Sequence, residues 1–171
     1  DALKTIRIAV SGAATQPNRV VEEVAGRFGV RILEGYGLTE AAPGVTRATD
    51  DDTPIGSIGR PMAGMEVRIV DAAGDDVYIG DEGEILVRGD NVFVGYLDDP
   101  EATARAMDPQ GWLHTGDIAV VDDDGFVYIV DRAKDLIIVS GFNVFPAEVE
   151  RVLNAHPGVV ESGVVGVPHP H

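Results

Sequence analysis

The sequence predicts a mixed α and β protein in three consecutive parts, and three patterns in the chain of 171 residues support this fold class. A strand–helix–strand order in residues 1–50 predicts the edge of an α/β sheet subdomain. Short apolar segments between Gly and Asp turns predict a small antiparallel β-barrel or sandwich subdomain in residues 51–130. A charged linker at residues 131–135 then precedes a strand, a glycine loop and a helix. Residues 136–171 are therefore predicted to begin an α+β lobe.

The first part contains two predicted strands around one helix. The segment Thr5–Val10 alternates apolar and polar side chains, which is typical of a half-buried strand. A helix is predicted from about Pro17 to Phe28, and Val30–Leu33 predicts a second strand. The inward face of this helix carries three valines, Val20, Val21 and Val24. We expect the two strands to pair in parallel, and the first strand needs more partners than this part supplies.

The second part alternates apolar segments with turns. Four segments predict strands: Val67–Val70, Glu84–Arg88, Ile118–Val121 and Phe126–Val130. Only Pro100–Met107 has a helical pattern. The segment Gly111–Asp117 is expected to interrupt the strands, with Trp112 as a core anchor.

The third part begins after the charged linker. The apolar run Leu136–Val139 predicts a buried strand, which Ser140 and Gly141 end. Pro146 stands where a helix would place its first residue, because its missing N–H is not needed there. The predicted apolar face of that helix is formed by Val149, Val152 and Leu153. A further strand is predicted at Val159–Val167.

Composition limits the classes of function. The formal net charge of −16 argues against a nucleic-acid-binding surface, which needs a basic face. The chain has no cysteine, so a disulfide framework or a thiol nucleophile is excluded. No signal peptide opens it, and no apolar run approaches the roughly 20 residues of a transmembrane helix. We therefore expect a cytoplasmic protein, and His169 and His171 alone do not predict a metal site.

Candidate binding residues follow the second predicted strand, where ligands of open α/β sheets bind. Glycines flank Tyr36 and free its ring to act as a stacking face. Thr39 offers a hydroxyl, and Glu40 offers the hard oxygen that Mg²⁺ prefers. A turn with a packed tyrosine would have the same pattern.

Two other segments suggest ligand contacts. The small residues Gly12, Ala13 and Ala14 would let a flat ligand lie close to the backbone, although they also suit the turn before the helix. Asp117 follows a Thr-Gly turn and could accept two hydroxyl hydrogen bonds, as from a ribose diol. Its alternative role is an Asx turn.

Three motifs occur in the order found in one enzyme family. They are Tyr36-Gly37-Leu38-Thr39-Glu40, then Gly111-Trp112-Leu113-His114-Thr115-Gly116-Asp117, and then the segment Asp131–Glu150. Together they resemble the adenylate-forming enzymes, which include acyl-CoA synthetases, firefly luciferase and the adenylation domains of peptide synthetases. The resemblance covers essentially the whole chain.

The resemblance implies a nucleotide site. Tyr36 would stack on adenine beside Gly37, and Thr39 would contact the α-phosphate. Glu40 would hold Mg²⁺, so Thr39 and Glu40 are the predicted catalytic residues. The base would be lined by Gly12, Ala13 and Ala14, although the proline usual in the family after these residues is Thr15 here.

The same resemblance assigns roles to later residues. Asp117 and Arg132 would contact the ribose, and Lys134 would be the hinge position between two lobes. Gly141 would border the pantetheine tunnel, where many relatives have a second glycine in place of Phe142.

The implied activity is ATP-dependent ligation of an acid to a thiol. A carboxylic acid would be activated as an acyl-adenylate and transferred to coenzyme A, and the Ser-Gly-Phe-Asn segment resembles the fatty acyl-CoA synthetase branch. The alternatives are an adenylation enzyme that loads a phosphopantetheine carrier, a luciferase-like relative, or a non-catalytic adenylate-binding or interaction module. The family's phosphate loop and terminal catalytic lysine have no match in this sequence, so we expect a truncated or proteolysed part of a longer enzyme that is inactive alone.

Overall fold

The fold is taken from a computed structural model that describes residues 5–13, 16–49, 52–140 and 142–168. Within these residues, ten strands form three sheets and three α-helices lie between them. The prediction of mixed α and β structure is therefore confirmed. None of the described helices is both long enough and apolar enough to span a bilayer.

The first sheet has the strand order β1-β2-β3-β4. Its strands are β1 at Ala9–Ser11, β2 at Ile32–Gly37, β3 at Gly44–Arg47 and β4 at Arg60–Pro61. As predicted, β1 and β2 are parallel and are joined by a helix, α1, at Asn18–Phe28. Of the three predicted inward valines, Val21 is buried and the other two are half-buried. β3 and β4 add antiparallel strands that the sequence pattern did not indicate.

The extent of the first predicted strand is wrong. β1 covers only three residues, whereas Thr5–Val10 was expected to be a half-buried strand. The side chains of Ile8 and Val10 are exposed. Because β1 is the edge strand and pairs only with β2 in the described sheet, its apolar residues have no second strand to cover them.

The second sheet is an antiparallel meander with the order β5-β6-β7-β8. Its strands are β5 at Met65–Val70, β6 at Gly83–Gly89, β7 at Leu113–Val121 and β8 at Val127–Arg132. Each of the four predicted apolar segments falls on one of these strands, and a short helix, α2, lies at Pro100–Ala106. The sheet is open in the described residues, because β5 and β8 form its two edges and do not close a barrel.

The segment Gly111–Asp117 does not interrupt this sheet, contrary to expectation. Residues from Leu113 onward belong to β7 and pair with β6. A shift in register between Glu84 and Leu86 accommodates the irregular part of the strand. Gly116 has φ = +71°, a conformation that glycine adopts without steric cost. The motif is therefore a bulged strand rather than a loop.

One hydrophobic core joins the two sheets. Ile85, Val87 and Leu113 of the second sheet pack in the same buried cluster as Val45 of β3. Trp112 lies in a smaller cluster with two other buried side chains, Val70 and Leu86, so its prediction as a core anchor is confirmed. Because the core is shared, the end of β2 is held in a fixed position relative to β7.

The last part differs most from the prediction. β9 at Ile137–Val139 and β10 at Phe142–Val144 form a two-stranded hairpin, and α3 covers Pro146–Asn154 with Pro146 in its first turn. The strand expected to be buried is not, since Ile138 is 70% exposed. The predicted apolar face of α3 is also uncovered, with Val152 65% exposed. The described residues 159–167 contain no strand, so that prediction is wrong.

These differences share a physical cause. Apolar patterns report which side chains would be buried once an element has a partner, and a two-stranded hairpin has little surface of its own to bury them against. Among the described residues, Asp131 of β8 makes a contact with this last part of the chain. Its carboxylate accepts a hydrogen bond from the Ala147 N–H at 3.1 Å, at the start of α3.

The N-terminus of α2 offers a first test of the fold. Asp99 caps this helix, because its Oδ1 accepts a hydrogen bond from the Ala102 N–H at 2.8 Å. We expect Asp99→Ala to lower the free energy of unfolding by about 0.5–2 kcal/mol, the usual cost of losing such a cap. Urea unfolding followed by circular dichroism measures it. Asp99→Asn, which keeps a capping oxygen, is the matched control, and equal stability of all three proteins would contradict the assignment.

Candidate functional site

The candidate site lies at the carboxyl ends of β1 and β2. Gly12 follows β1 directly, and a Cβ placed on it would stand 3.7 Å from the Gly35 carbonyl oxygen. Ala13, the next residue, has φ = +69°. The structure therefore brings the predicted small-residue segment next to the glycines of β2. Ala14, the third predicted residue of that segment, lies outside the described residues.

Tyr36 is joined to residues far along the chain. Its hydroxyl donates a hydrogen bond to Asp117 Oδ2 at 2.7 Å, across the boundary between the two sheets. The other carboxylate oxygen, Oδ1, lies 3.3 Å from Arg132 Nε. Asp117 and Arg132 are direct partners in the pairing of β7 with β8. Three of the predicted site residues thus form one contact group, which we call the Tyr36–Asp117–Arg132 cluster.

The burial of this cluster determines its electrostatics. The Asp117 side chain is only 14% exposed, whereas that of Arg132 is 60% exposed. Burial is the largest cause that raises the pKa of the Tyr36 hydroxyl, and the Asp117 carboxylate raises it further. The Tyr36 hydroxyl therefore stays protonated and remains a hydrogen-bond donor at neutral pH. One ring, one carboxylate and one guanidinium are held together where the end of β2 meets the middle of β7 and the end of β8.

Two residues missed by the sequence reasoning shape the strand around Asp117. The Thr115 hydroxyl accepts a hydrogen bond from the Asp117 N–H at 3.1 Å and donates one to the Ile85 carbonyl at 2.8 Å. Glu84 Oε1 accepts from the Gly116 N–H at 3.0 Å. Its other oxygen, Oε2, lies 3.0 Å from His114 Nδ1. These contacts fix the bulge that directs the Asp117 carboxylate toward Tyr36.

The turn after β2 carries the two predicted catalytic residues. A Cβ on Gly37 would lie 1.8 Å from the Pro43 carbonyl oxygen, so only glycine fits where the chain enters this turn. Residues Thr39–Ala41 form a single 3₁₀ turn. Thr39 is exposed and Glu40 is half-buried. Glu40 Oε1 accepts a hydrogen bond from the Tyr96 hydroxyl at 2.7 Å.

No local pattern in the chain indicated a role for Tyr96. It lies 56 positions from Glu40, and only the packing of the segment after β6 against the turn brings the two together. The same absence of local pattern applies to Glu84, whose partner Gly116 is 32 positions away.

The donor set around Glu40 fits one mode of magnesium binding. Among the residues that the structure describes, no three or more His, Cys, Asp or Glu side chains are grouped so as to hold a metal ion. Mg²⁺ is commonly held by one or two carboxylates together with substrate phosphates. Glu40 offers one carboxylate, whose Oε1 already accepts a hydrogen bond from the Tyr96 hydroxyl. A complete cage of protein ligands is therefore absent from the described residues, whereas a site shared with a phosphate is compatible with them.

The remaining predicted residues lie after β8. Lys134 is exposed within a second 3₁₀ turn, Ala133–Asp135, that connects β8 to β9. Gly141 lies outside the described residues, as do His169 and His171.

Comparison with known proteins identifies the class that this fold and cluster define. The sequence profile of the AMP-binding enzyme family matches residues 1–97, which is more than half of the chain. The chain belongs to the AMP-binding enzyme family.

Curated relatives match nearly the whole chain. A substituted propanoyl:CoA ligase of Rhodococcus jostii is 50% identical over 169 residues, which are 97% of this chain and 31% of that protein. A long-chain-fatty-acid–CoA ligase of Yersinia pestis is 48% identical over 166 residues, covering 96% of this chain and 29% of the relative. The chain thus spans about a third of the length of these relatives.

Solved structures agree with the fold. MatB from Rhodopseudomonas palustris with ATP bound superposes with a TM-score of 0.90 at 40% identity, covering 95% of this chain and 33% of MatB. The o-succinylbenzoate CoA synthetase MenE of Bacillus subtilis, in complex with its acyl-adenylate intermediate, gives a TM-score of 0.88 at 36% identity. That match covers 96% of this chain and 34% of MenE.

Proposed function

We propose that this chain forms part of an ATP-dependent acid–thiol ligase that activates a carboxylic acid as an acyl-adenylate and transfers the acyl group to coenzyme A. The observation that carries the proposal is the Tyr36–Asp117–Arg132 cluster, in which the carboxyl end of β2 meets the middle of β7. It places an aromatic ring beside a half-buried carboxylate and an exposed guanidinium. The names of the relatives, which are CoA ligases, support the same activity.

The cluster suits an adenosine group. The half-buried ring of Tyr36 offers one face to adenine, beside Gly37 and the small residues Gly12 and Ala13. The Asp117 carboxylate has acceptor capacity beyond the hydrogen bond from Tyr36, so it can receive a ribose hydroxyl. Arg132 supplies donors next to it. In this proposal, Ala14 would also line the adenine.

The turn after β2 would act on the phosphates. The exposed Thr39 hydroxyl would donate to the α-phosphate, and Glu40 would hold Mg²⁺ through the carboxylate oxygen that Tyr96 leaves free. The metal, when bound, would neutralise phosphate charge during displacement of pyrophosphate. The protein would contribute mainly positioning and electrostatic stabilisation, since the acid carboxylate itself is the nucleophile.

The second half-reaction would follow rearrangement of the lobes. We propose that residues 131–135 are the hinge, with Lys134 as its pivot, between residues 1–130 and the lobe beginning at residue 136. The boundary between the subdomains of residues 1–50 and 51–130 is also a prediction. The thiol would attack the acyl carbonyl, with release of AMP, and Gly141 would border the pantetheine tunnel.

We propose a fatty acid as the acid substrate. The long-chain-fatty-acid–CoA ligases among the relatives support this choice, whereas a feruloyl-CoA synthase of Amycolatopsis, 44% identical over 171 residues, supports an aromatic acid equally well by name. A phosphopantetheine carrier as acceptor, a luciferase-like reaction and a non-catalytic adenylate-binding module remain alternatives. The cytoplasmic location also remains a prediction.

The test uses protein made from the full reading frame, because the relatives are about three times longer than this chain. Pyrophosphate exchange is measured over a panel of fatty and aromatic acids, followed by thioester formation with coenzyme A or an acyl-carrier protein. We expect exchange that depends on both acid and ATP, and a coenzyme A thioester as product. ATP binding without exchange for any acid would favour the non-catalytic module, and an acylated carrier would change the acceptor.

A further inference from the structure

Three residues of the segment between β6 and α2 form hydrogen bonds to the turn that carries Glu40. The Asn91 side-chain amide donates to the carbonyls of Ala41 at 2.6 Å and Gly44 at 2.8 Å. The Phe93 N–H donates to the Glu40 carbonyl at 2.7 Å. The third contact is the hydrogen bond from the Tyr96 hydroxyl to the Glu40 carboxylate. The first two contacts fix the backbone of the turn, whereas only the third acts on the side chain of Glu40.

Tyr96 makes further contacts that fix its ring and its backbone. Its ring meets that of Phe93 edge to face, with centroids 4.8 Å apart and planes at 74°. Its N–H donates to Thr103 Oγ1 of α2 at 2.9 Å. Gly95 allows this approach, because a Cβ there would lie 2.7 Å from the Thr103 methyl group. The hydroxyl is therefore presented to Glu40 by a ring and a backbone that are both fixed.

We propose that Tyr96 is a positioning residue for Glu40, holding one carboxylate oxygen so that the other is directed toward Mg²⁺ bound to ATP. This inference rests on the proposed function, in which Glu40 contacts the metal. A glutamate side chain has several rotatable bonds, and a hydrogen bond to one oxygen restricts them before the metal arrives.

The chemistry of the two groups agrees with a donor role. An ionised carboxylate can only accept hydrogen bonds, whereas a phenolic hydroxyl can donate one. The Tyr96 hydroxyl is therefore the donor in its 2.7 Å contact with Glu40 Oε1. Oε1 is thereby partly satisfied, which leaves Oε2 as the stronger available ligand for a cation.

The test compares Tyr96→Phe with the unchanged full-length protein by calorimetric titration of ATP, once with Mg²⁺ and once with a chelator. The variant keeps the ring and its contact with Phe93 but loses the hydroxyl. We expect the gain in ATP affinity that Mg²⁺ provides to fall about three- to tenfold, the range for losing one net hydrogen bond. Affinity without the metal should not change. Tyr78→Phe, on a side chain that is 85% exposed, is the matched control.

A double-mutant cycle distinguishes positioning of Glu40 from general packing of the turn. Tyr96→Phe is combined with Glu40→Gln, which removes the charged ligand. If Tyr96 acts through Glu40, the double variant should lose no more metal-dependent affinity than Glu40→Gln alone. A metal-dependent gain unaffected by Tyr96→Phe would overturn the proposal. Equal losses with and without Mg²⁺ would also overturn it, since they indicate general support of the turn.

The outcome also distinguishes this inference from the proposed function. If the unchanged protein binds no ATP, or if Mg²⁺ adds nothing to its affinity, the assigned role of Glu40 fails and the role of Tyr96 fails with it. If the unchanged protein shows the metal-dependent gain and only the Tyr96 variant fails to alter it, the proposed function stands and the positioning role alone is wrong.

Discussion

Replacement of Asp117 by alanine is expected to weaken ATP binding by about 1.5–3 kcal/mol, the usual contribution of hydrogen bonds to a charged group. In the proposed site this carboxylate accepts from a ribose hydroxyl, and it also accepts from Tyr36 and faces Arg132. Because the Asp117 side chain is only 14% exposed, water cannot easily replace it. Calorimetric titration of ATP into the full-length protein measures the loss, with circular dichroism confirming the fold.

Three further variants test the cause of that loss of ATP affinity. Asp117→Asn keeps the size of the side chain but removes its charge, and an intermediate loss is expected. Tyr36→Phe removes only the hydrogen bond within the cluster, so it should weaken binding less than Asp117→Ala. Asp75→Ala makes the same change of charge in an exposed turn and should have no effect. Unchanged ATP affinity in a folded Asp117→Ala protein would indicate that Asp117 has only a structural role.

Replacement of Lys134 by proline is expected to separate the two half-reactions, with thioester formation falling at least about tenfold more than adenylate formation. Position 134 lies in the 3₁₀ turn Ala133–Asp135, whose typical φ is close to the value of about −65° that proline imposes. The hydrogen bond closing the turn runs from the Leu136 N–H to the Ala133 carbonyl, so proline removes no donor from it. The observed arrangement should therefore tolerate the change.

A second arrangement of the hinge would need other torsions at position 134, and proline excludes them. Proline also disfavours the helical conformation at Ala133, which predicts a modest loss of adenylate formation. The measurement is pyrophosphate exchange alongside coenzyme A thioester formation on the same preparation. Lys134→Ala is the control, since it removes the charge but leaves the torsions free. Equal loss of both half-reactions would indicate misfolding, and loss of neither would place the pivot elsewhere.

The local patterns determined most secondary structure in the first 130 residues. Gly and Asp turns between apolar segments placed all four strands of the second sheet, because alternation and turn chemistry are properties of neighbouring residues. Pro17 and Pro146 each stood within one residue of the start of a helix. The three ordered motifs were sufficient for the family, which the profile match then confirmed.

Local patterns did not predict burial correctly where burial depends on a partner. Ile138 was expected to be buried because it lies in an apolar run, and Val152 because it falls on the apolar face of a helix, yet both are exposed in the described structure. Likewise, the segment Gly111–Asp117 was expected to interrupt the strands of the second part. Its pairing with β6, which makes it a bulged strand, depends on residues about 30 positions away.

Sequence by itself therefore determined the family, the parallel strand–helix–strand unit, the four strands of the second sheet and the residue types of the candidate site, because these depend on composition, spacing and motifs. Only the tertiary structure decided which side chains meet. The hydrogen bond from Tyr36 to Asp117 spans 81 positions, and that from Tyr96 to Glu40 spans 56. The physical reason is that such contacts arise when two sheets share one core, and no short segment of the chain encodes the distance between them.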